Sequence, residues 1–225
     1  MNKLKSLICL FVFCSFLSVN ANEYEIDAGN SYTYAYENDY GYICDDVKVF
    51  QLSLFNPIQI QNQNTSISGL RLNLIYGVNH NVTGLDFGLV NHVTGDFKGM
   101  QEGIANYVEN DMYGLQDGFL NMTNGSVMGA QLGWVNISGN VYGFQEGIVN
   151  RAKYNLVGIQ EGFYNDASIA EGIQVGIINA THVMNGIQVG LINYTHELKG
   201  IQVGLLNIQS SRTVVKALPI LNFSW

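Results

Sequence analysis

Glu102 and Asp117 lie 15 residues apart, as do Glu146 and Glu161, and all four hold the fourth place of an eight-residue motif that recurs along the chain. Equivalent places on neighbouring β-strands are about 5 Å apart. Two carboxylates at that spacing can hold a cation, or one can raise the pKa of the other for acid–base work. The spacing would also suit the carboxyl pair of a retaining glycosidase. Set against these chemistries is a solvated polar stripe on an otherwise apolar face, and the sequence favours that plainer reading. Phe119, Trp134, Phe144 and Phe163 fall in the middle copies. They form an aromatic patch that, with a row of Gln side chains, could bind a sugar or other polymer, or simply pack on a sheet.

Other reactive side chains are sparse. His80, His92, His182 and His196 all fall between motif copies. His182 and His196 occupy the same place in consecutive copies and could share a metal in a parallel stack, but no third ligand is evident. Cys44 is the only cysteine after residue 21, so no internal disulfide can form once those residues are removed. Asp39, Asp45 and Asp46 fit no calcium-ligand spacing. There is no P-loop, nucleophile elbow, HExxH or CxxC. Neither catalysis nor a cofactor is expected.

The elements that must position these residues come from one octapeptide, Gly-φ-Gln-x-Gly-φ-φ-Asn, where φ is apolar. Its copies begin at Gly69, Gly84, Gly99, Gly114, Gly129, Gly143, Gly158, Gly172, Gly186 and Gly200. Two glycines per copy disfavour helix, at about 1 kcal/mol each relative to Ala. The alternation of apolar and other residues has the period of a strand. The fold class is therefore all-β, built from tandem 14–15-residue repeats in which no unit buries its apolar side alone. Turn signals such as Asn124-Gly125 favour an antiparallel meander, with Gly118 opposite Gln131 and Gln116 opposite Gly133. The segment Val47–Phe55, the ten copies and a degenerate copy at Val215–Asn222 would make about twelve strands, an even number that could close into a barrel. The alternative is a parallel β-solenoid with one repeat per coil, in which Asn forms a ladder at a corner. It requires the chain to bend at a glycine, because the five or so residues outside each strand span at most about 18 Å. In either arrangement the Gln row (Gln101, Gln116, Gln131, Gln145, Gln160, Gln174, Gln188, Gln202) reads as structural, its amides satisfying one another.

The ends differ from the array. Lys3, Lys5, the apolar run Ile8–Leu17 and the small-residue site before Asn22 read as a signal peptide, residues 1–21. Residues 22–46 read as a Tyr-rich acidic N-terminal arm, and residues 47–225 as the β-repeat domain. Removing Lys3 and Lys5 takes the formal charge from −8 to −10, which argues against nucleic acid as a partner.

The stretch from Phe50-Gln51-Leu52-Ser53-Leu54-Phe55-Asn56-Pro57 through the ten copies resembles a family of bacterial surface-repeat proteins with Gly-Leu-Gln-Leu-Gly-Leu-Val-Asn-type tandem repeats. The resemblance covers about three quarters of the chain. It implies an exported envelope protein and carries over no catalytic residue. The acidic fourth places depart from the usual apolar residue. The end Leu221-Asn222-Phe223-Ser224-Trp225 also looks like the end of outer-membrane β-barrels. The expectation is an exported bacterial cell-envelope or surface protein with a structural or interaction role, meeting the outer membrane or a surface polymer, with no protein partner identifiable. The alternatives are an outer-membrane β-barrel or small pore, and a carbohydrate-binding or carbohydrate-active protein that uses the acidic and aromatic face.

Overall fold

The computed structural model describes residues 35–38, 41–44 and 47–225. The expected signal segment, residues 22–34 of the arm, and Asp39, Asp45 and Asp46 lie outside the described residues. Within the arm, β1 (Ala35–Asn38) and β2 (Gly41–Cys44) pair as an antiparallel two-stranded sheet.

The repeat domain is a parallel β-solenoid. Strands β3 (Val47–Phe55), β5 (Ser66–Asn79), β6 (Val82–Val93) and β7 (Phe97–Val108) stack in parallel, each on the next. Strand β7 then stacks on the start of β8, a continuously extended stretch, Met112–Gln209, that winds through the remaining copies. Equivalent residues face one another across coils: Gly99 pairs with Gly114, Gln101 with Gln116 and Asn106 with Asn121. The antiparallel meander and its barrel closure are thus overturned in favour of the solenoid. Gln116 meets Gln131, not Gly133, and Gly133 sits on Gly118. Asn124-Gly125 makes no hairpin and lies within the extended backbone of β8.

The coil closes because it bends at the first glycine of each motif. Those ten glycines all have positive φ, from 119° at Gly84 to 150° at Gly69, a region essentially closed to residues with a Cβ. A second corner follows the second glycine. The third and eighth places are both buried, and a straight strand would put them on opposite faces.

Four columns run inward along the stack. One is the Gln row, now seen inside the coil and fully buried from Gln101 to Gln202. Another is the Asn row, equally buried. The third holds the apolar residue two places before the first glycine, for example Phe97, Met112, Val127, Val141 and Leu156. The fourth, two places after the Asn, holds apolar or hydroxyl residues: Val93, Val108, Thr123, Ser138, Ala152 and Ala167. Two of its hydroxyls donate to the Gln row, Ser138 Oγ to Gln131 Oε1 at 2.7 Å and Thr123 Oγ1 to Gln116 Oε1 at 3.2 Å.

The two amide rows point in opposite directions. Each Gln Nε2 donates to the Gln Oε1 of the coil before it, as from Gln145 to Gln131 and from Gln160 to Gln145, both at 2.8 Å. Each Asn Nδ2 donates to the Asn Oδ1 of the coil after it, as from Asn136 to Asn150 at 2.8 Å. Its second N–H takes a backbone carbonyl of that same coil, Glu146 O in this case, at 2.9 Å. A fully satisfied buried amide adds only about 1 kcal/mol net, but one stripped of its partner costs about 1–3 kcal/mol. Gln145→Leu removes one of the two donors to Gln131 Oε1, which keeps Ser138 Oγ, and takes from Gln160 Nε2 its side-chain acceptor, so a loss of roughly 1–3 kcal/mol is expected. Urea unfolding followed by circular dichroism checks it, and a loss under about 1 kcal/mol would contradict the ladder.

At its N-terminal end the Gln row changes chemistry. Arg71 and Asp86 take the Gln places in the first two copies and are fully buried. Arg71 Nε and Nη2 reach the two Asp86 oxygens at 2.7 and 2.6 Å, and Nη1 donates to His92 O at 2.9 Å. Asp86 also accepts from Gln101 at 2.7 Å and Asn73 at 3.1 Å. A carboxylate only accepts, so it can end a row whose donors all point toward it. Arg71 turns its donors to Asp86 and His92 O, away from Gln51 below, so Gln51 stays outside the row; its Oε1 accepts from Gln61 N at 2.9 Å and its Nε2 turns to Asn79 Oδ1 and Gln61 O, both at 3.2 Å.

The first copy also lacks the terminal Asn. A register shift between Asn73 and Tyr76 lets Gly77 face Asn91, and Asn73 Nδ2 starts the Asn row by donating to Asn91 Oδ1 at 2.7 Å. At the other end, β9 (Ala217–Ser224) runs antiparallel to the last coil, so the degenerate eleventh copy is a cap and not another coil. Asn222 Nδ2 donates to Gln202 Oε1 at 2.7 Å, closing the Gln row. Pro219, which has no N–H to give, lies in this edge strand.

Candidate interaction face

With places three and eight turned inward, places two, four and six of each motif face outward on one broad side of the stack. The sixth place forms an exposed apolar row: Leu74, Leu89, Ile104, Phe119, Trp134, Ile148 and Phe163, then Leu191 and Leu205. Trp134 is 56 % exposed and Phe163 58 %. Strand β3 extends the face with exposed Phe50 and Leu52, in register with Leu70 and Leu72. Strand β9 extends it at the far end with exposed Leu221 and Phe223, opposite Val203 and Ile201. Beside the last copies the face dips into an open apolar groove of about 690 Å³, lined among others by Phe163, Ile177, Leu191, Leu205 and Ile220. Monomeric proteins rarely leave contiguous apolar patches larger than a few hundred Å² uncovered.

The four acids and four aromatic residues singled out in the sequence all reach this side. Glu102 and Asp117 are in register on neighbouring coils and both exposed. Glu146 and Glu161 are likewise exposed, and the Gln145–Gln160 and Asn150–Asn165 bonds on either side of them stack their coils in register. All four stand as a solvated acidic stripe interrupted by Leu132. Phe119 and Trp134 form a tilted ring pair with centroids 4.3 Å apart. Phe163 shares their row two coils on, beyond Ile148. Phe144 does not: it holds the second place of its motif, half-buried, across the acidic row. The Gln row takes no part in the face, because it is buried within the coil.

Other polar clusters lie elsewhere. His182 and His196 stack with ring centroids 4.8 Å apart, as a parallel arrangement requires. Among the described residues no group of three or more His, Cys, Asp or Glu comes together to hold a metal ion. Tyr76 Oη, His92 and Glu109 form a relay that the sequence reading missed, with 2.9 Å from Tyr76 Oη to His92 Nδ1 and 2.9 Å from His92 Nε2 to Glu109 Oε1. Burial, with Glu109 adding to it, pushes the Tyr76 phenol above its ordinary pKa, which disfavours the phenolate a nucleophile would need. No sequence signal marks this trio, since its members occupy three different places in their copies.

Asp166 pairs with Arg151 at 3.1 Å, yet burial outweighs that attraction and raises its pKa above the ordinary 3.8. A carboxyl with a raised folded-state pKa binds more protons folded than unfolded. Its contribution to stability is therefore lost as pH climbs from about 4 through the raised value. Asp166→Asn should flatten that part of the stability–pH profile, measured as thermal midpoints between pH 3.5 and 7. A variant profile that falls as steeply as the wild type would contradict the assignment.

Fold and face together define a class: a capped parallel β-solenoid with amide-laddered interior and one long apolar side. Comparisons with protein-family models, with curated proteins and with solved structures give no match for this chain.

Proposed function

We propose that the chain is an exported bacterial cell-envelope or surface repeat protein with a structural or interaction role and no catalysis. The observation that carries this reading is the uninterrupted apolar row on a stack whose interior is fixed coil by coil. Such a face is maintained at a cost in solubility, which an interaction with an envelope component would offset. The signal-like first 21 residues and the resemblance to surface-repeat proteins support the compartment. The small-pore alternative needed a closed barrel and loses its basis with the open stack.

The experiment is fractionation of bacteria that express the full chain, with mass spectrometry of its N-terminus. Processing before Asn22 and recovery with envelope or surface material is the expected result. An intact Met1 in the soluble cytoplasm would end the proposal. A second reading, carbohydrate binding on the same face, is favoured by the Phe119–Trp134 ring pair beside Asp117, since rings next to hydroxyl-accepting carboxylates suit a sugar. Quenching of Trp134 fluorescence by a polysaccharide, absent in Trp134→Phe, would support it.

A further inference from the structure

The turn that leads from β3 into the first repeat is built almost wholly from carboxamides. Between β3 and β5 the chain runs Asn56-Pro57-Ile58-Gln59-Ile60-Gln61-Asn62-Gln63-Asn64, and the two residues Ile58 and Gln59 form a short strand, β4, antiparallel to β3. Asn56, Pro57, Gln59, Gln61, Asn62, Gln63 and Asn64 line an open depression of about 440 Å³. That volume lies in the range of small-molecule sites. None of the lining residues is charged, unlike the acidic stripe on the outward face.

Part of this amide set is committed to holding the turn. Gln59 Nε2 donates to Gln61 O at 2.8 Å and Val78 O at 2.9 Å. Asn56 Nδ2 donates to Gln63 Oε1 at 2.9 Å. Asn62 Oδ1 accepts from Asn64 N at 2.9 Å, and Gln51 Oε1 accepts from Gln61 N at 2.9 Å. The side-chain amides of Gln61 and Asn64 take no part in these bonds, and neither does Gln63 Nε2. Each free carboxamide offers a carbonyl acceptor and two N–H donors side by side. A hydroxyl is likewise a donor and an acceptor at one atom, so a cluster of neutral amides fits a neutral molecule with several adjacent hydroxyls. A carboxylate or phosphate would find no cation here, and an ammonium ligand no counter-charge. The ring of Pro57 supplies an apolar wall for the C–H side of such a molecule.

We propose that this depression is a binding site for a neutral sugar, with Gln61 and Asn64 as its principal hydrogen-bonding residues. The site is separate from the outward face and does not rest on the function proposed for that face. The turn holds its own shape through backbone, Asn56 and Gln59 bonds, so the backbone that carries its two free amides is fixed, which lowers the ordering cost of binding.

The test is isothermal titration of the full chain with three neutral trisaccharides used as probes: N-acetylchitotriose, cellotriose and maltotriose. Saturable binding of at least one is expected, weakened tenfold or more in the double variant Gln61→Ala/Asn64→Ala. Those substitutions keep the backbone bonds of the turn, and circular dichroism with the thermal midpoint reports whether the solenoid survives them. If the double variant does not fold, Asn64→Ala alone, at an exposed position, replaces it with an expected loss of threefold or more. Tyr154→Ala, exposed and many coils away from the turn, should leave the affinity unchanged. No binding of any probe at 10 mM, equal binding by the double variant, loss of binding in Trp134→Ala instead, or preference for an uncharged tripeptide over all three sugars would each overturn the proposal.

Discussion

Asp86→Ala is expected to destabilise the solenoid by about 3–5 kcal/mol, because it leaves the Arg71 guanidinium buried without its counter-charge. Both side chains are fully buried in the interior, so water cannot replace the lost carboxylate. Gln101 and Asn73 lose their acceptor as well. The effect should therefore exceed that of any single ladder Gln. The double change Arg71→Gln/Asp86→Gln is expected to recover most of the loss. It restores the residue that the later coils carry at this place and removes both buried charges, a replacement that is often neutral or better. Chemical unfolding of the wild type, the single variant and the double variant decides the matter. A single variant within about 1 kcal/mol of wild type would mean the pair is solvated, contrary to its burial.

Gly143→Ala is expected to cost on the order of 3 kcal/mol or more, from positive-φ strain together with overpacking. Gly143 has φ 145°, and a Cβ there would lie 2.0 Å from Gly129 O of the coil below. The obstructing atom is backbone, held in turn by its own coil, so no side chain can move aside. The second glycine is constrained differently. At Gly147 φ is ordinary, but an added Cβ would meet Gly133 O at 2.2 Å and Asn136 Nδ2 at 2.8 Å. Leu132→Ala, on the outward face between the acids, serves as the comparison and should lie within about 1 kcal/mol of wild type. A Gly143→Ala protein as stable as Leu132→Ala would contradict the tight stacking of the first-glycine column.

Much of this architecture is legible in the octapeptide itself. Two glycines and period-2 alternation exclude helix, and a Gln and an Asn repeated at fixed places point to rows of like amides. The strand direction was harder to read. Asn124-Gly125 is a strong hairpin signal, yet local turn preference yields to the bonding of successive coils. The length objection to a coil is met by the glycine bend it calls for, at a φ no other residue tolerates well. The Arg71–Asp86 pair is also present in the sequence, as opposite charges standing in two adjacent Gln places, but only burial gives that coincidence meaning. The four acids could be placed on the apolar face from their position alone. Phe144 could not be separated from Phe119, Trp134 and Phe163 without the row assignment that stacking provides. The Tyr76–His92–Glu109 relay depends on a register shift in the first copy, which no repeat pattern encodes.

In-register stacking of one repeat per coil is tested most directly by cysteine pairs on the outward face in a Cys44→Ser background. Ile148 and Phe163 hold the sixth place of adjacent copies, and Gly147 and Gly162 beside them are stacked. Ile148→Cys/Phe163→Cys should put two Cα atoms about 5 Å apart, within the span of a disulfide. Ile148→Cys/Ile159→Cys joins the sixth place to the second, which an antiparallel meander would bring together and the solenoid separates by about 14 Å. Mild oxidation followed by peptide mass spectrometry should give a disulfide in the first pair alone. A disulfide in the second pair, with free thiols in the first, would contradict the parallel coil.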